Sequence, residues 1–447
     1  MTEDTTPITT PETTDKRGSM LSNTLFTYGT NATAAVLSLV NVLIVARVLG
    51  AGARGEIAFL ITVATMTGWV AGLSVQEANA NLAGSEPALR SRLATNSLLL
   101  ALVFGLLAAG AVAAIVAVFP SVGGPVSHGL LAASLATVPV AVAKLYLQFL
   151  LQAEYAFGVT NVAWLSGPFV TATANGILAT AGWISVETAF AAWIVGQCLG
   201  VVIMTIAIAT RSGFGRPDRP LAGRAVGFGL KTHAGRLLSI GNYRGDQWIL
   251  GAVSGSRELG LYSVAVAWAE LLFYLPGVLT LVQRPDLVRA TPAHAARTAA
   301  RVFRIAVLLS AIAAVGLILA APLLCTLVFG NEFSGSTNML RILALGAVGV
   351  TAIDLFPNAL TAQRLPIHGT GGIAAAFFVM LALDVALIPP FGGIGASAAT
   401  TIAYMVGGGV AAFIFVRALN CPPADLIPRL GELPLMWEKL RGRSARA

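Results

Sequence analysis

The sequence predicts an all-α integral membrane protein, with twelve transmembrane helices in two parallel-repeat six-helix lobes around a central cavity. Three observations lead there. Of 447 residues, 56% are hydrophobic and only 11% charged, whereas soluble domains carry about 25% charged residues. Mean hydropathy is +0.80, so too few charges remain to cover a water-facing surface. Apolar windows of about 20 residues, the length that crosses a bilayer, recur along the chain. The second half then repeats a glycine-bounded motif of the first.

Residues 1–19 are rich in Thr, Pro and Glu and end near Lys16 and Arg17. Such a segment buries too little apolar surface to fold, and a disordered cytoplasmic leader is expected. The apolar stretch behind it has no small-residue cleavage site ahead of a soluble domain, so it reads as a retained first span. Windows fall near 22–46, 56–79, 95–119, 128–152, 157–181 and 186–210, then 227–252, 260–284, 302–329, 337–361, 369–390 and 394–418. They define an N-terminal lobe over 20–210, a basic cytoplasmic linker over 211–226, a C-terminal lobe over 227–418 and a tail over 419–447. In the tail, Leu426, Ile427, Leu430, Leu433, Met436, Trp437 and Leu440 gather near one side ahead of a basic end. That pattern suits either a helix on the anionic inner leaflet or a solvated tail.

Basic residues set the orientation. With the N-terminus inside, 20 of the 28 Lys and Arg face the cytoplasm, while only Arg47, Arg54 and Arg257 face outward. This bias predicts a multi-pass protein of the cytoplasmic (inner) membrane with both termini inside. A net charge of +8 would suggest nucleic acid in a soluble chain. Here those charges mark membrane sidedness, and no nucleic-acid partner is expected.

The outer loops are short, and Glu187, Glu258 and Glu332 each stand alone in theirs. A membrane glycosyltransferase or ligase would need acid and base groups gathered at the surface, so an enzyme is not expected. Cys198, Cys325 and Cys421 are widely separated. They give no disulfide framework or metal spacing, and neither metal nor cofactor is expected.

The internal repeat runs from Val48-Leu-Gly-Ala-Gly-Ala-Arg-Gly55 to Val253-Ser-Gly-Ser-Arg-Glu-Leu-Gly260, placing Gly50 and Gly55 on Gly255 and Gly260 at an offset of 205. The same offset sets Asn31 on Arg236 and Asn41 on Asp246. Further on, residues 144–154 align with 354–364 at 210, which places Lys144 opposite Asp354. Six spans per half is an even number, so both halves enter from one side and are related by an axis along the membrane normal. Polar stripes mark the cavity-facing helices. Thr27, Thr30, Asn31, Ser38 and Asn41 share one face of the first span. Thr232, Arg236, Ser239, Tyr243, Asp246 and Gln247 fall within an arc of roughly 100° in the seventh.

On these residues the chain resembles the polysaccharide biosynthesis and export proteins, the Wzx-type lipid-linked oligosaccharide flippases of the multidrug/oligosaccharidyl-lipid/polysaccharide superfamily. The resemblance rests on Ala46 to Gly55, the stretch Gly229 to Leu238 with Asn242 to Trp248, Glu258 to Val266, and Leu387 to Thr400. It covers about residues 20–418 and implies twelve helices, two six-helix lobes and alternating access. It further implies transport of a polyprenyl-pyrophosphate-linked oligosaccharide or related lipopolysaccharide or exopolysaccharide precursor. Glycan polymerases and glycosyltransferases would then be partners. A cation-coupled multidrug antiporter of the same superfamily is the alternative.

Charged residues inside spans are costly, at least about 2.5 to 3.5 kcal/mol at the bilayer centre, and therefore functional candidates. Arg236 and Arg244 suit a pyrophosphate, because a guanidinium offers two donors to phosphate oxygens and stays protonated, and for Arg244 the alternative is an ion pair inside its lobe with Asp246 or Glu270. Lys144 either contacts the anionic substrate, pairs with Asp354 or snorkels to the headgroups. Asn31, Asn41, Tyr243 and Gln247 complete the substrate-binding set. Asp246, Glu270 and Asp354 are candidates for H+ or Na+ coupling. Asp384, near the outer end of its window, is expected to be solvated.

Overall fold

A computed structural model describes residues 12–428, which form helices with no strand among them. In order they are α1 (Glu12–Ala71), α2 (Val75–Ser85), α3 (Arg90–Val118), α4 (His128–Ala136), α5 (Val138–Ala153), α6 (Phe157–Thr180) and α7 (Val186–Arg211). There follow α8 (Arg219–Arg289), α9 (Pro292–Pro322), α10 (Ser336–Leu345), α11 (Ala347–Ala362) and α12 (Pro366–Leu419). Seven helical stretches among the described residues are long and apolar enough to cross a membrane. They expose large apolar side chains such as Leu107 on α3, Val195 on α7 and Leu319 on α9, which is how a helix meets lipid rather than water. The chain is a multi-pass membrane protein.

Two sequence expectations change at the edges of the fold. Residues 12–19, expected to be disordered, are part of α1, because the turn that begins there continues without a break into the apolar run. The rest of the leader, and the tail from 429 on, lie outside the described residues; within the tail, Pro423–Leu426 form one 3-10 turn. The linker is shorter than expected, since α7 runs to Arg211 and α8 starts at Arg219.

That linker is tied to α3. Gly215 donates its backbone N–H to Ser91 at 2.8 Å, and Thr95 Oγ1 donates to the Gly215 carbonyl at 2.7 Å. Asn96 both donates to and accepts from the Asp218 backbone. Asp218 Oδ1 accepts from the Leu221 N–H at 3.0 Å, an N-cap that starts α8. That bond first, and Arg92 at 3.2 Å second, hold the Asp218 carboxyl below the usual carboxylate range.

Three long helices are broken by a glycine of positive φ: Gly50 (φ 81), Gly255 (φ 85) and Gly392 (φ 53). Only glycine adopts this region without strain, so each allows the chain to turn where an apolar run would otherwise continue straight. Gly50 and Gly255 have matching ψ values of -178 and 178. The offset of 205 is therefore a repeat of backbone conformation as well as of sequence.

The later repeat needs a correction. α5 and α11 begin at 138 and 347 and end at 153 and 362, and the left-handed residues behind them are Tyr155 and Arg364. All three landmarks give an offset of 209, one less than the letter alignment. Lys144 consequently corresponds to Ile353, and Asp354 to Leu145. The letter match slipped because leucine-rich helices align almost equally well at neighbouring registers.

The described residues divide into two compact units. Within the described residues, unit 1 comprises 12–44, 71–107 and 137–230, and unit 2 comprises 45–70, 108–136 and 231–428. This division does not follow the expected lobe boundary, because residues 45–70 and 108–136 belong with the second unit. Unit 1 is built on α6 packed against α7, with α5 against α2 and α7. A Cβ added to Gly196 would lie 2.8 Å from the Gly167 carbonyl, so α6 and α7 meet backbone to backbone. Lipid tails are as apolar as leucine, and close packing at small residues replaces the hydrophobic effect between such helices. In unit 2, α9, α11 and α12 enclose a core in which Phe356 lies 4.6 Å from Phe303 and 4.5 Å from Phe415, centroid to centroid.

Within unit 2, the segments following the repeat-related glycine breaks cross each other. A Cβ on Gly55 would stand 1.7 Å from the Ser256 carbonyl oxygen, and one on Gly260 would stand 1.8 Å from that of Ala51. Ala51 and Ser256 are themselves related by 205, so the contact is reciprocal, as a local two-fold requires. Glu332 and Glu258, expected to stand alone, cap the new helix starts. Glu332 accepts from the Ala51 N–H at 3.1 Å, and Glu258 from the Gly393 N–H at 3.0 Å. A carboxylate there meets the positive end of a helix dipole. Arg47 donates to the carbonyls of Leu327 and Val328, where α9 ends in a π turn.

Candidate substrate and cation site

Of the ten residues picked from sequence, Asn31, Asn41 and Lys144 belong to unit 1 and the other seven to unit 2. In unit 1 the polar stripe of α1 is partly engaged by α6. Asn175 donates to Asn41 at 2.7 Å and Asn161 donates to Thr27 at 3.1 Å. The two pairs lie 14 residues apart on both helices, which run parallel in register. Asn31 is half-buried. Lys144 is buried, its Nζ donating to Gln197 at 2.8 Å and lying 4.9 Å from the centre of the Trp164 ring. A cation against an aromatic face and an amide oxygen is satisfied without snorkelling.

In unit 2 the stripe of α8 forms one side of two adjoining clefts. The first, about 470 Å³, is lined by Ser239, Asn242, Tyr243, Asp354 and Tyr404. The second, about 350 Å³, is lined by Tyr243, Asp246, Tyr262, Glu270, Thr400 and Tyr404. Tyr243 and Tyr404 are common to both and stand between Asp354 and the Asp246 cluster. Tyr243 is 54% exposed, a large value for an aromatic side chain on a buried stripe, so its ring projects into open space. Asp354, Glu270, Arg236 and Arg244 are all near enough to act electrostatically on its hydroxyl.

The basic residues differ in how they are held. Arg244 pairs with Glu270 at 3.1 Å. Arg236 is half-buried and makes no salt bridge among the described residues. Gln247 is buried and accepts from Thr62 at 3.2 Å.

Asp246 is the centre of the acidic cluster. Its Oδ2 accepts from the Tyr262 hydroxyl and, at 3.3 Å, from Thr400; its Oδ1 accepts from the Gln247 N–H at 2.7 Å. Asp384, expected in solvent, is instead 0% exposed, and neither of its carboxylate oxygens has a hydrogen-bond partner. It lies within electrostatic reach of Asp246 and Tyr262. The expectation failed because position along a helix gives depth in the membrane, while burial depends on which helices pack around that position. An acid inside an otherwise apolar run was the signal available for Asp384. Tyr262 and Thr400 lie within the stretches that carry the family resemblance, but as single polar residues, Tyr262 beyond the Gly255 break of α8 and Thr400 on α12, neither stood out as a partner of Asp246.

Two buried carboxylates within reach of each other repel, so a proton or small cation bound between them is favoured. The Asp246 and Asp384 carboxylates, with the Tyr262 and Thr400 hydroxyls, supply the hard oxygen atoms that such a cation prefers. No group of three or more His, Cys, Asp or Glu side chains arranged for a metal occurs among the described residues.

Among solved structures, the chain is similar to the lipid II flippase MurJ in its inward closed conformation, with a TM-score of 0.72 at 14% identity over 90% of this chain and 89% of that one. It is also similar to an inward-facing multidrug resistance MATE family transporter of the MOP superfamily, with a TM-score of 0.65 at 17% identity over 86% of this chain and 94% of that one. Identities this low show a shared fold. No curated protein matches the sequence. Residues 44–338 match the family described as polysaccharide biosynthesis protein. That match spans the Gly55 and Gly260 crossing, the α8 stripe and Asp246 with Tyr262, while Asp384 and Thr400 lie beyond it, and the chain belongs to the polysaccharide biosynthesis protein family.

Proposed function

We propose that the protein is a transporter of the cytoplasmic membrane that moves a polyprenyl-pyrophosphate-linked oligosaccharide, or a related cell-surface glycan precursor, from the inner to the outer leaflet. The observation that carries this reading is the α8 stripe, where Arg236 and Arg244 sit beside the exposed Tyr243 in a family tied to polysaccharide biosynthesis. In this reading each glycine break ends one span and begins the next, giving twelve spans in two six-span repeats that alternate access. Both termini are cytoplasmic. The guanidiniums hold the anionic head while the lipid tail stays in the bilayer, and Asn31, Asn41, Gln247 and Lys144 contact the head or the sugars. Glycosyltransferases would supply the substrate and a polymerase would consume it.

Binding of H+ or Na+ at Asp246 and Asp384 drives the cycle in this proposal, with Glu270 and Asp354 as accessory acids. The unpartnered oxygens of Asp384 support the assignment. A second reading, a cation-coupled multidrug antiporter, is favoured by the aromatic and acidic lining of the clefts: Tyr243, Tyr262 and Tyr404 with Asp246, Glu270 and Asp354.

One experiment separates the two. Arg236→Ala should reduce surface glycan without reducing the amount of protein in the membrane, and drug susceptibility should be unchanged by deletion of the protein. Unchanged glycan display in the variant removes the pyrophosphate site from the proposal. Increased drug susceptibility on deletion, with normal glycan, establishes the antiporter.

A further inference from the structure

The first cleft of unit 2 has a one-sided polar lining. Ser239, Asn242 and Tyr243 reach it from one face of α8, Asp354 from α11 and Tyr404 from α12. No Lys or Arg is among its lining residues. Among the described residues the Asp354 carboxylate makes no salt bridge, and the side chain of Asn358, at 2.7 Å, reaches only its backbone carbonyl. Asn242 is 7% exposed, and its amide nitrogen donates to the carbonyls of Leu238 and Ile373, both at 3.0 Å. Both amide protons are thereby used, and the buried Oδ1 is left without a partner. Two hydroxyls are committed to backbone: Ser239 donates to the Gly235 carbonyl and Tyr404 to the Asn242 carbonyl, each at 3.3 Å.

A carboxylate without a counter-charge and a buried amide oxygen without a donor are both costly in a membrane interior. One ligand answers both if it carries positive charge and several donors together. An ammonium group has three N–H donors and a unit charge, and the rings of Tyr243 and Tyr404 present the negative faces that a cation prefers. A neutral polyol would satisfy the amide but leave the carboxylate uncompensated, and a metal ion would gain little from the aromatic walls. The cleft, about 470 Å³, is of the size usual for small-molecule sites, about 300–1,000 Å³. Its walls are also firm. Gly241 has no room for a Cβ against the Phe377 ring, nor Gly349 against the Tyr404 carbonyl, so α8 and α11 are each held tightly to α12. The adjoining cleft differs, because its Glu270 is already occupied by Arg244 at 3.1 Å.

We propose that this cleft binds an ammonium group, with Asp354 as counter-charge, Asn242 Oδ1 as second acceptor and the Tyr243 and Tyr404 rings as walls. The same chemistry is carried by a sugar with a free amino group and by a small organic amine. The amino-sugar source rests on the flippase reading and deepens it, since the glycan precursor would then bear an amine that is not acylated. Asp354 thereby acts on the cargo as well as serving as an accessory acid.

The test uses the full-length protein in lipid nanodiscs at neutral pH, with three probes: farnesyl-diphosphate-linked glucosamine, its N-acetylated form and cyclohexylamine. Acetylation removes the charge and two of the donors. The wild type should bind the linked amine about tenfold more tightly than its N-acetyl form, the difference between a charge-assisted and a neutral hydrogen bond. Asp354→Asn keeps the shape and should abolish that preference. Tyr243→Leu, at an exposed position, should reduce it and serves as the readout if the Asn variant does not fold. Preference for the linked amine that depends on these residues supports the amino sugar. Asp354-dependent binding of cyclohexylamine, without preference between the linked probes, supports a free organic amine. Equal binding of the two linked probes with no Asp354-dependent cyclohexylamine binding overturns the inference and leaves the flippase reading intact. If neither linked probe binds while cyclohexylamine does so through Asp354, the flippase reading falls and the ammonium site stands.

Discussion

Two regions of unit 2 solve opposite problems. At the Gly55 and Gly260 crossing, backbones touch with no side chain between them, and the reciprocal contacts with Ser256 and Ala51 leave no space unfilled. Around Asp246, which lines a cleft, and Asp384, which is buried within its electrostatic reach, space and unsatisfied charge are retained, and both carboxylate oxygens of Asp384 lack a protein partner. The first region is held by the contacts it makes, as helices in lipid must be. The second is held in spite of the groups it lacks, at the expense of stability, which is why the proposed cation site is placed there.

The largest effect should come from breaking the crossing. Gly260→Val drives a branched side chain into the Ala51 carbonyl, a backbone atom that cannot rotate away. A loss of about 3 kcal/mol or more is expected, at or beyond the upper end of ordinary overpacking. Thermal unfolding of the purified protein in detergent reads it, and an unchanged Tm would mean that the crossing is not tightly closed. Gly55→Ala and Gly260→Ala should each destabilise, and because they relieve one shared contact, the double variant should cost less than the sum.

The cleft should respond in the other sense. Asp384→Asn removes a buried charge but keeps the shape, so stability should be unchanged or higher by about 1 kcal/mol. Dependence of transport on a Na+ or pH gradient in proteoliposomes should disappear. Retained ion dependence would exclude Asp384 from coupling. A variant that loses stability and ion dependence together would show that the cleft is structural, like the crossing.

Smaller effects are expected at the helix starts beside these regions. Glu332→Gln and Glu258→Gln keep a hydrogen-bonding oxygen and remove the charge facing the dipole of the helix at Ala51 or Gly393. Each should lower stability by about 0.5 to 1 kcal/mol, and similar Tm losses in the two would show equivalent caps. The smallest effect lies at the linker. The folded Asp218 carboxyl titrates below its ordinary value of about 3.9. Its contribution is therefore complete above that value and is lost as pH falls through the lower, folded one. Hydrogen exchange at the Leu221 amide should accelerate across that acid range, and Asp218→Asn should show at neutral pH what acid does to the wild type.

Legibility in the sequence varied with the range of the interaction. The glycine repeat was readable because positive φ and close approach both demand glycine, whatever lies around it. Arg244 and Asp246 were readable because a charge in an apolar run is conspicuous. Asp384 was seen and wrongly assigned to solvent, because that judgement required knowing which helices pack nearby. The one-residue slip between Lys144 and Asp354 has the same origin: apolar letters carry little register information, whereas helix ends carry a great deal.

The sequence by itself determined the solvent, the helical class, the places where glycine bends the chain and the short set of intramembrane charges. Those follow from hydropathy and local backbone sterics, which neighbouring residues in the chain decide. Only the tertiary structure decided that Gly55 meets Gly260, that Glu332 and Glu258 cap helices more than a hundred residues away in sequence, and that Asp384 joins Asp246 with Tyr262 and Thr400. Partners of that kind are set by which helix faces meet, and the lipid-like composition of those faces is nearly the same on every helix.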